Sequence, residues 1–401
     1  MRQLIEPKKI LFVHHGSGQG GGAVALVRLL RKLDHRKYVP LVACDYRLAE
    51  VEEFFGREKI ETINLNINPF SHTATTWKWH TPKGLLKMIR WSLFHFAETR
   101  KGLIKIVKRE KPHAIHFNGL SLLPYATVRK LFGVPIIQHI REPLNSGIFG
   151  LRRMIMRYIG KKFIDQFIVI CKTNYKDFFP VKHENASVLY DPVELSGKKE
   201  EVAKRLNNHG HDVPVIFFPG GSSLGIKGFI PFVSSLALLI KDNPGLKAIV
   251  PGIESPGHPR DPIRREAELI ISENGLEDCI QRVPFTDEVY QYYLQSDIVV
   301  APFITAHASL AVAEAGLMKK PAIGSRLPPI EEVLKDGENG LLVNPGDAVD
   351  LAEKIMFLIS NPDKSFSMGE DGYKKTVARN DPDKYAEEVM SIYDELFSRN
   401  N

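Results

Sequence analysis

Cysteine is scarce: Cys44, Cys171 and Cys279 are the three in a chain of 401 residues. They lie far apart and match no metal or redox spacing, so they read as reduced core residues. No apolar run approaches the roughly 20 residues that a membrane-spanning helix needs. The start, "MRQLIEPKKILFVHHG", has four consecutive apolar residues, which is a strand and not a secretory signal. No segment is of low complexity. These absences point to a cytoplasmic globular protein, and the length suits two domains.

Acidic residues are thin in the first half. Residues 1–190 hold 32 Lys+Arg against 14 Asp+Glu, whereas residues 191–401 hold 22 against 33. The net charge of +7 therefore joins a basic half to an acidic one. Such asymmetry suggests an anionic partner for the first half. The stretch 83–111, "KGLLKMIRWSLFHFAETRKGLIKIVKREK", has nine Lys/Arg and two Glu, interleaved with Leu86, Ile89, Trp91, Leu93, Phe94 and Phe96. "LRRMIMRYIGKK" at 151–162 adds five basic residues and no acid. Both suit basic amphipathic helices on an anionic membrane surface, or helices with apolar faces in the core and solvated charges. Nucleic acid is not expected, because no helix-turn-helix, RNA-binding or zinc signature accompanies the charge.

What is plentiful is alternation. Short β-branched runs ("KKILFVHH", "YVPLVACD", "ETINLN", "HAIHFNG", "VPIIQHI", "DQFIVIC") are mostly separated by helical stretches of ten or more residues. The pattern pauses near "LYDPVELSG" (189–197) and restarts with "VPVIFFPGG", "LKAIVPG", "CIQRVPF", "DIVVAPF", "PAIGS" and "NGLLVNPG". This predicts two doubly wound parallel-sheet domains of Rossmann type, 1–192 and 193–381, with a linker near 190–200. A final helix, about 382–401, carries Tyr385, Val389, Ile392, Tyr393 and Leu396 at helical spacing and is expected to pack back on the first domain. Ligands of such sheets bind outside the carboxyl ends of the strands, so two sheets facing each other place theirs in the cleft between.

Three stretches carry chemistry. "GSGQGGGAVALVRLLRKL" has five glycines from Gly16 to Gly22 before a helix, either a close-approach anion site or a flexible turn. "VIFFPGGSSLGIKGF" runs a strand into a Gly/Ser loop, where Ser222, Ser223 and Lys227 suit a diphosphate. Lys227 alone would read as a surface lysine. "PFITAHASLAVAEAGLMKKPAIGS" (302–325) sets Glu314 in an apolar helix beside small residues. A carboxylate there needs a hydrogen-bonding partner, such as a ligand's hydroxyls.

With "VPFTDEVYQYYLQSDIVVAPF", "EAGLMKKPAIGS", "PPIEEVLKDGENGLLVNPGD" and "AVDLAEKI" following in order, and "GIKGF" and "HHGSGQGGGA" upstream, the chain resembles glycosyltransferase family 4. These are retaining enzymes of the GT-B fold. The resemblance implies that Glu314 binds the nucleotide ribose and Lys227 neutralises the donor diphosphate. It sets Gly20, Gly21 and Gly22 near diphosphate and acceptor, and His139 near the donor sugar. Gly221, Ser222, His307, Ser309 and Leu310 complete the donor-binding set, with His139, Lys227 and Glu314 as the catalytic candidates. It further implies a nucleotide-sugar donor, a glycan or lipid-linked acceptor, and no metal or other cofactor. The setting would be cell-surface polysaccharide or lipopolysaccharide biosynthesis at the inner face of the plasma membrane.

Two positions depart from the family. Its second Glu, eight residues before the ribose-binding one, is Ala306 here, and its Arg, five before the phosphate lysine, is Ser222. These leave open a catalytically degenerate scaffold that binds nucleotide or glycan. A GT-B epimerase or phosphorylase is a further alternative, although no motif for a lysine-bound pyridoxal is evident.

Overall fold

The computed structural model describes residues 6–16, 20–70, 81–194, 213–221, 225–252, 262–284, 286 and 288–399. Ser222 and Ser223 lie outside this set. The chain divides into two compact units, Met1–Pro192 with Pro382–Asn401, and Val193–Asp381.

The first unit holds strands β1 (Lys8–Val13), β2 (Tyr38–Cys44), β3 (Thr62–Asn64), β4 (Ala114–Asn118), β5 (Ile136–Ile140), β6 (Gln166–Val169) and β7 (Ala186–Val188). They form one sheet in the order β3-β2-β1-β4-β5-β6-β7, with neighbouring strands parallel. Alternate residues of β1 explain why it is apolar throughout. Leu11 and Val13 enter a core with Leu103, Ile115 and Met156, while Ile10 and Phe12 enter another with Leu26, Leu30, Val389 and Tyr393. The helix Pro382–Ser398 thus seals one face of this sheet.

The second unit holds β8 (Val215–Phe217), β9 (Lys247–Pro251), β10 (Ile280–Val283), β11 (Ile298–Ala301), β12 (Ala322–Ser325) and β13 (Gly340–Val343). Their order is β10-β9-β8-β11-β12-β13, again parallel. In each sheet the chain winds outward in one direction and then restarts on the other side of the first strand. The switch points fall between β1 and β4 and between β8 and β11, and these are the crevices where doubly wound sheets bind ligands.

The stretch 83–111 departs from regular helical spacing. It is an α-helix (Pro82–Arg90), a π-helical turn (Trp91–His95) and a second α-helix (Phe96–Glu110). The wider turn faces Trp91 inward, where its indole N–H donates to the Asn68 carbonyl at 2.8 Å. Leu86, Ile89, Leu93 and Phe94 stay exposed, so the apolar residues of this segment are divided between core and solvent. No helix among the described residues is long and apolar enough to cross a membrane.

One packing detail bears directly on Glu314. Its helix, Leu310–Leu317, meets the helix Pro362–Arg379 at Gly316. A Cβ there would lie 2.4 Å from Thr376 Oγ1 and 2.8 Å from the Gly372 carbonyl oxygen. Gly316→Ala is therefore expected to cost about 1–3 kcal/mol by overpacking, read as a lower urea midpoint with an unchanged slope. An unaltered midpoint would show that the helix pair yields freely.

Candidate functional site

In the second unit the switch point is built by two loops. After β8 the chain turns at Gly221, whose φ is +71°, and forms a 3-10 turn over Gly225–Lys227. After β11 it runs from Pro302 to Ser309. The two are locked by the Ile304 amide, which donates to the Ile226 carbonyl at 2.9 Å. Gly228 (φ +80°) makes this approach possible: a Cβ there would sit 1.9 Å from the Pro302 carbonyl oxygen.

Lys227 is half-buried. Among the described residues it makes no hydrogen bond or ion pair, and burial lowers its pKa from the ordinary lysine value. A cation held out of water without a counter-charge is unfavourable until an anion arrives. The loop from Pro302 leads to Ser309, which flanks the Leu310–Leu317 helix. Its hydroxyl is enclosed, has no hydrogen-bond partner among the described residues and does not cap the helix. The first N–H groups of that helix thus lack a side-chain cap, a local arrangement suited to anionic oxygen.

Glu314, one turn further along, is half-buried. The hydroxyl of the buried Tyr293 donates to its Oε2 at 3.0 Å. Tyr293 is a site residue that sequence reasoning misses, because "YQYYL" reads as core. His307 packs its ring 5.4 Å from that of Phe303, and Ala306 and Leu310 are half-buried. Arg326, just after β12, is paired with Asp336 at 2.8 Å.

In the first unit the switch point gathers a polar network. Gly20 and Gly21 are exposed and Gly22 is half-buried. Asn118, at the end of β4, donates from Nδ2 to the Gly22 carbonyl at 3.1 Å and to His14 Nδ1 at 2.9 Å. Its Oδ1 accepts from Arg141 Nε at 2.6 Å. Arg141 also pairs with Asp191. Burial works against the Arg141 charge, but Asp191 and Glu142 outweigh it and raise its pKa. Glu142 lies 3.9 Å from His15 and accepts the Leu120 amide at 2.9 Å. His139, on β5, is fully buried, with Nδ1 3.4 Å from both Arg141 Nη2 and His116 Nε2. Of this network the sequence analysis singles out only the glycines and His139. Asn118, His116 and Asp191 come together through strand order, which no local spacing reveals.

Both buried histidines are held neutral. His116 is pushed down to about 3 by burial and by Arg141. His139 lies well below its ordinary value through burial, Arg141 and His116. The unfolded chain takes up these protons as pH falls below about 6.5, while the folded chain refuses them. The stability they contribute is fully present above that pH and is lost as pH falls toward the folded values, at up to about 1.4 kcal/mol per pH unit per histidine. Urea midpoints should therefore drop steeply between about pH 6.5 and 5, less so in His116→Gln. A flat profile would contradict the assignment.

Sequence comparison places the second unit in context. The family model for glycosyl transferases group 1 matches residues 200–375. The chain is 24% identical over 179 residues to a putative glycosyltransferase, EpsD, of Bacillus subtilis, covering 45% of each chain. It is 31% identical over 134 residues to an uncharacterized glycosyltransferase of Methanocaldococcus jannaschii, covering 33% of this chain and 38% of that one. The matched region thus spans less than half the length of these two relatives. Among solved structures, Anabaena HepE in complex with UDP-glucose superposes with a TM-score of 0.75 at 18% identity, over 98% of this chain and 100% of that one. A sucrose-phosphate synthase from Thermosynechococcus elongatus gives the same four values. The fold is GT-B: two Rossmann-like domains, each on a parallel sheet.

Proposed function

We propose that the protein is a retaining glycosyltransferase that moves a sugar from a nucleoside-diphosphate sugar to a glycan or lipid-linked acceptor. The observation that carries this reading is the half-buried Lys227, which has no hydrogen bond or ion pair among the described residues and is locked by the Ile226–Ile304 hydrogen bond to the loop that leads to Ser309 and Glu314. In this reading Glu314, held by Tyr293, accepts hydrogen bonds from the ribose hydroxyls. Lys227 and the N–H groups after Ser309 take the diphosphate. The match of residues 200–375 to group 1 transferases supports the assignment, as does the GT-B likeness to HepE, whose structure holds UDP-glucose.

The acceptor hydroxyl attacks the anomeric carbon on the face the diphosphate leaves. The anomeric C–O bond to phosphate breaks, the new glycosidic bond forms, and the hydroxyl proton passes to the departing phosphate oxygen. Stabilising the charge on that oxygen is the protein's main contribution, and the scheme uses no metal. The acceptor falls to the first unit.

That unit also suits the inner face of an anionic membrane in cell-surface polysaccharide or lipopolysaccharide synthesis. Leu86, Leu93, Phe94 and Met154 are 67%, 64%, 66% and 63% exposed, amid the lysines and arginines of 83–111 and 151–162. Both helical segments send residues into one core cluster, so they share a face of the sheet. Apolar side chains within a basic surface match an anionic bilayer. Binding to phosphatidylglycerol vesicles but not phosphatidylcholine vesicles, lost in Leu93→Ser/Phe94→Ser, tests this point.

Ala306 favours a second reading, a nucleotide-binding scaffold without transfer. Incubation with UDP-, GDP- and ADP-sugars, a mixed lipid-linked and soluble acceptor pool, and proton NMR of the products decides between them. The transferase reading expects nucleoside diphosphate release with retained anomeric configuration, unaffected by EDTA. Binding without release supports the scaffold, and inversion overturns the retaining chemistry.

A further inference from the structure

The loop between β5 and the helix Leu151–Phe163 presents an aromatic ring to water at a backbone cost. Phe149 is fully exposed, with φ at +49°. A bulky side chain in the left-handed region is strained, and such strain persists where the presented group has a use. The loop is held by its own backbone. The Gly147 amide donates to Asn145 Oδ1 at 3.0 Å, and the Arg153 amide to the Ser146 carbonyl at 3.3 Å. The following helix continues the apolar surface. It buries Arg152, Met156, Gly160 and Phe163, and it exposes Leu151, Met154, Ile155 and Tyr158 at helical spacing on the other side. Lys161 and Lys162 are exposed beside them, and residues 151–162 contain no acid. Apolar side chains rimmed by cations complement an anionic bilayer.

The position of these groups sets a direction. β5 ends at Ile140, so the loop lies at the carboxyl end of the first sheet. The helix Phe96–Glu110 has its last residue at the amino end, where Glu110 pairs with Lys9 of β1 at 3.0 Å. Its fifteen residues rise about 21 Å, against about 17 Å for the five residues of β4. The exposed Leu93 and Phe94, on the π turn before it, therefore lie past the carboxyl end. Two apolar elements far apart in sequence thus project from one end of one sheet. We infer that Phe149 is a membrane anchor, and that the first unit docks end-on, with the carboxyl ends of its strands toward an anionic bilayer. The inference rests on the membrane reading above and adds to it the residue that enters the lipid and the end that faces it.

The test uses the full chain and vesicles of equal parts phosphatidylglycerol and phosphatidylcholine. Phe149→Asn removes the ring and keeps a residue that tolerates the left-handed backbone. It should leave the lipid-free melting temperature unchanged or raised, and weaken vesicle binding about ten- to a hundredfold, the worth of burying one phenylalanine. Phe149→Trp should retain binding. Depth is read from a nitroxide on an introduced cysteine, since Cys44, Cys171 and Cys279 are buried. On adding vesicles, labels in Phe149→Cys and Leu93→Cys should gain access to oxygen and be shielded from a nickel chelate. A label in Leu131→Cys, exposed at the amino end just before β5, should stay in water. Equal binding by wild type and Phe149→Asn, or a label at position 149 that stays in water, would overturn the anchor and leave the membrane reading standing. A label at position 131 that enters the lipid would overturn the end-on direction. No vesicle binding by the wild type would overturn both the inference and the reading beneath it.

Discussion

Lys227→Met is expected to stabilise the free protein and to disable it. In the free state the ammonium has lost water without gaining a counter-charge among the described residues, and burial lowers its pKa. Methionine keeps the unbranched apolar stem and removes the charge, so the unliganded melting temperature should rise, by the equivalent of about 1 kcal/mol or more. In the transition state the same charge meets a departing diphosphate. Removing one preorganised electrostatic donor costs about a hundred- to a thousandfold in kcat. The opposed signs are the informative part. A structural lysine would lower both stability and turnover, and a solvated one would change neither. Differential scanning fluorimetry without ligand, paired with a turnover assay, separates the three cases.

Glu314→Ala should remove most of the nucleotide affinity while leaving the fold intact. The carboxylate lies on the Leu310–Leu317 helix with one oxygen occupied by Tyr293 at 3.0 Å. A ribose bound by a carboxylate through hydroxyl hydrogen bonds gains roughly 1.5–3 kcal/mol per charged bond, so Kd should rise by a factor on the order of a hundred. The hydroxyl of Tyr293 would be left without this acceptor, so a small loss of stability accompanies the change. Tyr293→Phe should weaken binding by a smaller factor, since it frees the carboxylate to turn without removing it. Calorimetric titration of the three proteins with one nucleoside diphosphate checks the ranking. Equal affinities would remove Glu314 from the site.

Lys227, Glu314 and Tyr293 differ in how visible they are before folding. The parallel sheets are legible, because apolar runs such as "KKILFV" can only be strands buried on two faces. Glu314 is legible as a lone acid in an apolar helix, and Lys227 as a cation after a glycine-rich turn. Tyr293 is not, since an aromatic residue in an apolar stretch reads as core and its hydroxyl's partner lies 21 residues away. The Asn118–Arg141–Asp191 network is hidden for a related reason. Its members sit at the end of β4, just after the neighbouring β5 and on the chain after β7, and adjacency in a sheet leaves no trace in spacing. The π turn at Trp91–His95 is equally silent, because helical periodicity runs through it with one residue of slack.

The most direct test of the central claim is a thermal-shift screen of the wild-type protein against UDP, GDP, ADP, CMP and their sugars. The account expects one nucleoside diphosphate to raise the melting temperature by several degrees at saturation, with its sugar conjugate raising it further, since only the conjugate reaches beyond the diphosphate. No shift with any nucleotide would contradict it.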